Sequence, residues 1–268
     1  MTLRVLVVGA ESSHVGEFLR HAGSRVRVAT DVGSAEGAIV FERDARRHRE
    51  LAEPLLAAGL RVFVDKPLAA SRADAEAILH AAGGGAGDGR GAGDGQRAAV
   101  ASFSALRFLP EVATWRDGAA AALARGELSA LWASGPADPD CPHAGARFYG
   151  IHTVELVAWA LPDPDTHRLD ISAHRTEVGA SLLRDDGVEV SAHLVDHPDA
   201  GFAVGWTGRD GTNHATEVPI GADYYAPATE RILAFPAGGP PPVDAAETVR
   251  AVAVTDALAS AWARARRG

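Results

Sequence analysis

The stretch Arg61-Val-Phe-Val-Asp-Lys-Pro-Leu68 decides how this chain is read. Val62 to Val64 form an apolar run with the length and side-chain shape of a short strand buried on both faces, as in a parallel sheet. The run ends in an acid, a lysine and a proline. Open α/β sheets bind ligands just beyond the carboxyl ends of their strands, so Lys66 stands where chemistry is expected. Pro67 disfavours helical backbone before it and predicts extended geometry at Lys66. Alone, the segment reads equally well as a surface lysine leaving a strand.

A second segment, Tyr149-Gly-Ile-His152-Thr-Val-Glu155-Leu-Val-Ala-Trp159, predicts a helix whose apolar side carries Ile151, Val154, Leu156 and Trp159. His152 and Glu155 are three residues apart and share one side of it. A lone histidine on such a helix is more often a packed core residue than a catalyst. Here it gains weight from the lysine at the strand end.

Together the two segments resemble the signatures of the Gfo/Idh/MocA oxidoreductases. That family pairs Glu/Asp-Lys-Pro on a nucleotide-binding domain with Gly-x-His-x-x-Asp/Glu on a second domain. Asp65-Lys66-Pro67 and Gly150-x-His152-x-x-Glu155 match, about 85 residues apart. The first turn, Gly9-Ala-Glu-Ser-Ser-His14, and the final helix after Pro240-Pro-Pro-Val-Asp-Ala-Ala-Glu247 also fit. The resemblance spans nearly the whole chain. It implies a truncated Rossmann domain with a parallel sheet over residues 1–103. A second α/β domain over 104–268 then carries an open, mainly antiparallel sheet, and its C-terminal helix packs back on the body. A homo-oligomer is expected.

Composition narrows the partners. With 268 residues and 47% hydrophobic content, the chain can fill two modest cores. A formal net charge of −9 argues against nucleic acid or an anionic membrane surface as partner. The single cysteine, Cys141, excludes an intrachain disulfide and suits a reducing, cytoplasmic setting. The opening Met1-Thr-Leu-Arg-Val-Leu-Val-Val-Gly9 is too short in its apolar run for a secretion signal and reads as a first strand. A small-molecule substrate is the expected partner.

Short apolar runs at Arg4–Val8, Arg25–Ala29, Ala38–Phe41, Val62–Val64 and Ala98–Phe103, separated by helical patterns, predict the parallel sheet. Gly83 to Gln96 is nearly all glycine, alanine and aspartate and predicts a disordered loop. From Asp170 onward, alternating runs separated by Asp185-Asp-Gly187 and Arg209-Asp-Gly211 predict hairpins. Leu258 and Trp262 give the final helix an apolar face.

A dinucleotide site normally carries Gly-x-Gly-x-x-Gly after the first strand. This chain has Gly9 for the tight turn, but Glu11 stands where a second glycine would admit a pyrophosphate. Ser12 and Ser13 can donate at a helix N-terminus, and a plain N-cap is an equally good reading. Asp31, near the end of the second strand, would bind a ribose 2′-hydroxyl and so favours NAD over NADP. Only Val32-Gly-Ser-Ala-Glu-Gly37 then precedes the third strand, so the adenosine side is cut down. His14, Glu42 and Asp65 complete the candidate cofactor contacts, and His48 is a further candidate for lining the cleft.

The resemblance gives Lys66 the nicotinamide ribose and the substrate oxygen, and makes His152 the proton-transfer residue, a general base in oxidation. A histidine suits that work at neutral pH. Glu155 would orient the imidazole or bind substrate. Many relatives place an aspartate four residues before the histidine. Phe148 stands there in this chain, with Tyr149 as the nearest polar replacement. Arg107 could reach a substrate anion, with a structural ion pair the favoured role. No metal site is expected, because the sequence offers no His-Glu-x-x-His and no cysteine cluster. Three functions stay open: a nicotinamide-dependent oxidoreductase, a cofactor-free relative doing acid–base chemistry, and a non-catalytic binding protein.

Overall fold

The computed structural model describes residues 2–9, 12–84, 99–161, 168–197 and 199–267. These form two compact units. One holds residues up to Phe103 together with Tyr225–Val249, and the other holds Ser104–Tyr224 and Arg250 onward.

The first unit is built on five parallel strands in the order β2-β1-β3-β4-β5. They are β1 (Leu3–Val8), β2 (Val26–Val28), β3 (Gly37–Val40), β4 (Arg61–Val64) and β5 (Ala99–Ala101). Helices α1 (Ser13–Ala22), α2 (His48–Ala57) and α3 (Arg72–Leu79) connect them. Every residue of β3 is buried, as the apolar run requires of a central strand. Phe18, Phe41, Phe63 and Phe103 run through the core, with neighbouring ring centroids 5.7, 6.4 and 4.8 Å apart. Such tilted and edge-on contacts add to the area the rings bury.

Register explains how the shortened connection works. Parallel neighbours usually need a crossover of a dozen or more residues to return the chain to the starting edge. Here Val28 pairs with Val5, and Gly37 at the start of β3 also pairs with Val5. Segment 29–36 therefore only crosses β1 sideways, and the Glu36 amide donates to the Arg4 carbonyl on the way. One short 3-10 turn, Val32–Ser34, suffices.

The sequence reading assigns 225–249 to the second domain, whereas by packing this segment belongs to the first unit. Its helix α6 (Ala226–Ala234) lies against α1. Arg61 stacks over Phe235 at 4.4 Å and donates to its carbonyl. A Cβ on Gly37 would come within 2.5 Å of Pro236, so glycine is what admits this segment to the sheet.

The second unit holds a six-stranded sheet ordered β11-β10-β6-β9-β8-β7. Its strands are β6 (Leu128–Pro136), β7 (Asp170–Ala173), β8 (Glu177–Leu183), β9 (Glu189–Val195), β10 (Phe202–Gly208) and β11 (Asn213–Val218). All neighbours are antiparallel except β6 with β9. Gly187 and Gly211, at φ +79° and +86°, make the two hairpin turns foreseen from Asp-Gly. Helices α4 (Pro110–Ala124) and α5 (Arg147–Val157) share a core with this sheet. That core also takes Leu258 and Trp262 from α7 (Ala245–Ala265), both fully buried.

Most of the glycine-rich segment 83–96 lies outside the described residues, as does Glu11. Among the described residues no helix is long and apolar enough to cross a membrane.

Candidate functional site

In the first unit the strand order reverses between β1 and β3, and ligands of such sheets bind beyond the strand ends at this switch point. Gly9 ends β1 there with φ +76°, and an added Cβ would lie 2.6 Å from the Glu42 amide nitrogen. Glycine is demanded twice, by backbone conformation and by the approach of the loop after β3. Ser12 caps α1, its side chain accepting from the His14 amide at 3.2 Å, while Ser13 is exposed.

His14 reaches across to the loop after β4, where its Nδ1 lies 2.7 Å from Asp65 Oδ2. Its ring also lies 5.1 Å from that of Tyr225. Asp65 and Lys66 are 4% and 3% exposed. Burial alone would raise the Asp65 carboxyl, but the charge and hydrogen bond of His14, with the charge and amide of Lys66, hold it below the usual carboxylate range. The Lys66–Pro67 peptide is cis.

His48 is fully buried and bridges two loops, its Nδ1 2.8 Å from the Pro67 carbonyl and its Nε2 2.7 Å from that of Glu42. The Glu42 carboxylate accepts from Arg47 at 2.7 Å and from the Asp44 amide at 3.0 Å. Asp31 sits apart from this group in kind. It is exposed and caps the short turn after β2, accepting from the amide and hydroxyl of Ser34 and from Thr30. The Ser34 amide is the largest of the contacts that keep its carboxyl below the ordinary value.

In the second unit, α5 lies close to the sheet because two glycines let it. A Cβ on Gly150 would come within 2.7 Å of Leu194 in β9, and one on Gly135 in β6 within 2.4 Å of Thr153. His152 and Glu155 on this helix are 7% and 5% exposed. Ser104, fully buried, meets both: its Oγ is 2.6 Å from His152 Nδ1, and its amide donates to Glu155 Oε2 at 2.7 Å. Arg107 donates to the Glu155 carbonyl at 2.8 Å and stands 3.6 Å from Oε2, a buried ion pair. Tyr149 is exposed, its ring 6.3 Å from that of His152, and Phe148 packs on Tyr149 and His143.

The structure thus gathers Gly9, Ser12, His14, Glu42, Asp65 and Lys66 around the switch-point edge of the first sheet, and His152 with Glu155 on one helix of the second unit. Ser104 was not foreseen. Its local signal is only that of a serine capping the short turn Ala105–Phe108.

No protein-family model matches the sequence, and neither does any curated protein. Solved structures do. GenD2 from gentamicin A biosynthesis, in complex with NAD, superposes with a TM-score of 0.73 at 17% identity over 99% of this chain and 94% of its own. The myo-inositol 2-dehydrogenase from Lactobacillus plantarum gives 0.72 at 13% identity, covering 100% and 98%. A Gfo/Idh/MocA family oxidoreductase from Vibrio cholerae gives 0.67 at 15% identity, covering 97% and 98%. Across nearly its whole length, the chain has the fold of the Gfo/Idh/MocA oxidoreductases.

Proposed function

We propose that this chain is an oxidoreductase that moves hydride between a nicotinamide cofactor and a hydroxyl or carbonyl carbon of a sugar-like or polyol compound. The observation that carries the reading is Lys66. A buried lysine beside a buried aspartate, at the carboxyl edge of a parallel sheet, occupies the position that the family motif gives its catalytic lysine. GenD2 with NAD and the inositol dehydrogenase, which share the fold, support the cofactor and substrate class.

The residues present fit a dinucleotide at one end. The α1 N-terminus with Ser12 and the loop of Asp65 and Lys66, beside the tight turn at Gly9, supply donors and a cation. Toward the adenosine the exposed Asp31 is the candidate contact of this reading, and it favours NAD. The cofactor supplies a hydride acceptor or donor. Lys66 holds the substrate oxygen and stabilises its negative charge in the transition state. Asp65, held by His14, sets a negative charge next to that lysine in the chain. His152 is the proton-transfer residue of this reading, with Glu155 and Tyr149 as its supporting residues. In this reading the chain works as a cytoplasmic homo-oligomer.

Assay of purified protein with NAD or NADP and a panel of polyols and sugars, followed by nicotinamide absorbance, tests the reading. Turnover lost in Lys66→Met supports it. A second reading is favoured by the three-residue β2 and its short connection: cofactor-free acid–base catalysis by the same residues. Turnover of a substrate without added nicotinamide supports that one instead.

A further inference from the structure

His48 opens α2 with no exposed surface, and both of its ring nitrogens meet backbone oxygen. Nδ1 lies 2.8 Å from the Pro67 carbonyl in the loop after β4, and Nε2 2.7 Å from the Glu42 carbonyl in the loop after β3. Among the described residues neither oxygen takes a hydrogen bond from any other group. Both oxygens are acceptors only, and a neutral imidazole has one N–H to give.

Either neutral tautomer would therefore set a nitrogen lone pair against a carbonyl lone pair within hydrogen-bond distance, and leave that carbonyl without a donor. Turning the ring over about Cβ–Cγ does not help, because it exchanges both nitrogens for carbons. The doubly protonated ring serves both oxygens with charge-assisted bonds. The dipole of α2 opposes a positive charge in its first turn, but that effect is weaker than two such bonds.

We infer that His48 carries a proton on each ring nitrogen and, as a double donor, fixes the spacing of the loops after β3 and β4. Pro67 directly follows Lys66, so the bond at Nδ1 anchors the backbone beside that lysine. The consequence rests on the oxidoreductase reading: His48 sets Lys66 in place for the substrate oxygen. It acts through the Pro67 backbone and is a positioning residue.

Nitrogen NMR of the full chain labelled in histidine, at pH 7 and without substrate or cofactor, tests the protonation. Both His48 nitrogens should give protonated, pyrrole-type signals, and a pyridine-type nitrogen at His48 overturns the inference. His48→Gln assigns the signals. Where that variant does not fold, correlation of the ring to the His48 backbone in the wild type assigns them instead. Lysine labelling tests the positioning, because Lys66 is the chain's single lysine and its side chain gives one signal. A side-chain amide donates from one nitrogen only, so a folded His48→Gln or His48→Asn should shift the Lys66 signal. An unmoved Lys66 signal in either folded variant overturns the positioning role. Failure to bind NADH or to turn over any hydroxyl or carbonyl compound counts against the oxidoreductase reading alone and leaves the double donor standing.

Discussion

His14 Nδ1 and Asp65 Oδ2 lie 2.7 Å apart, which ties the first turn of α1 to the loop that carries Lys66. The two elements meet at the carboxyl edge of the sheet, and the bond fixes the acid whose neighbour is the proposed catalytic lysine.

Asp65→Asn is therefore expected to destabilise the protein by about 2 kcal/mol at neutral pH, the scale of a hydrogen bond to a charged group. The carboxyl is held below its ordinary value of 3.8 in the folded state. A depressed acid contributes stability that is fully present above its unfolded value and is lost as pH falls through the folded one. Urea unfolding from pH 7 down to pH 2 should show the wild type losing its advantage over Asp65→Asn below about pH 4. A gap that stays constant across that range contradicts the assignment.

Gly9→Ala should cost about 2 kcal/mol, since the residue sits at φ +76° and its Cβ would meet main chain rather than a movable side chain. Gly16 has nothing within 4 Å of an added Cβ. Gly16→Ala is thus the control, expected to be neutral or slightly stabilising in the middle of α1. Thermal melts of the two variants check the contrast.

Glu155→Gln removes the charge facing Arg107 and weakens the acceptor for the Ser104 amide. Breaking one side of a buried ion pair costs about 3–5 kcal/mol. Denaturant midpoints for Glu155→Gln and the exposed control Glu127→Gln should differ accordingly. Equal midpoints would mean that the pair contributes nothing.

Asp31→Ala should weaken NAD binding relative to NADP if that acid grips a ribose, because a 2′-phosphate is no longer repelled. Calorimetric titration with both dinucleotides reads the ratio. No change in the ratio confines Asp31 to the turn it already caps.

The parallel sheet was legible because β3 is an unbroken apolar run and β1 and β4 are apolar apart from Arg4 and Arg61, and the hairpins because Asp-Gly marks their turns. The strand β6 escaped, although it sits in the middle of the second sheet. Leu128-Ser-Ala-Leu-Trp-Ala-Ser-Gly-Pro136 is mostly small residues, chosen for what packs on them rather than for strand propensity: Gly135 receives Phe202 and Thr153. Helix α4 hides its apolar face among alanines in the same way. Lys66 and His152 stood out through motif spacing. Ser104 did not, because its meaning lies in a partner 48 positions away. The return of 225–249 to the first unit was unreadable for the same reason, being fixed by Gly37 meeting Pro236 and Arg61 meeting Phe235.

The central claim is that Lys66 serves a nicotinamide-dependent reaction, and NADH binding tests it most directly. Titration of the purified chain followed by nicotinamide fluorescence should show saturable binding in the wild type. With few contacts on the adenosine side, a dissociation constant on the order of 0.1–1 mM is expected. Lys66→Met should bind at least about tenfold more weakly, the loss of one charge-assisted contact. Absence of binding by the folded wild type at millimolar NADH and NADPH would contradict the account.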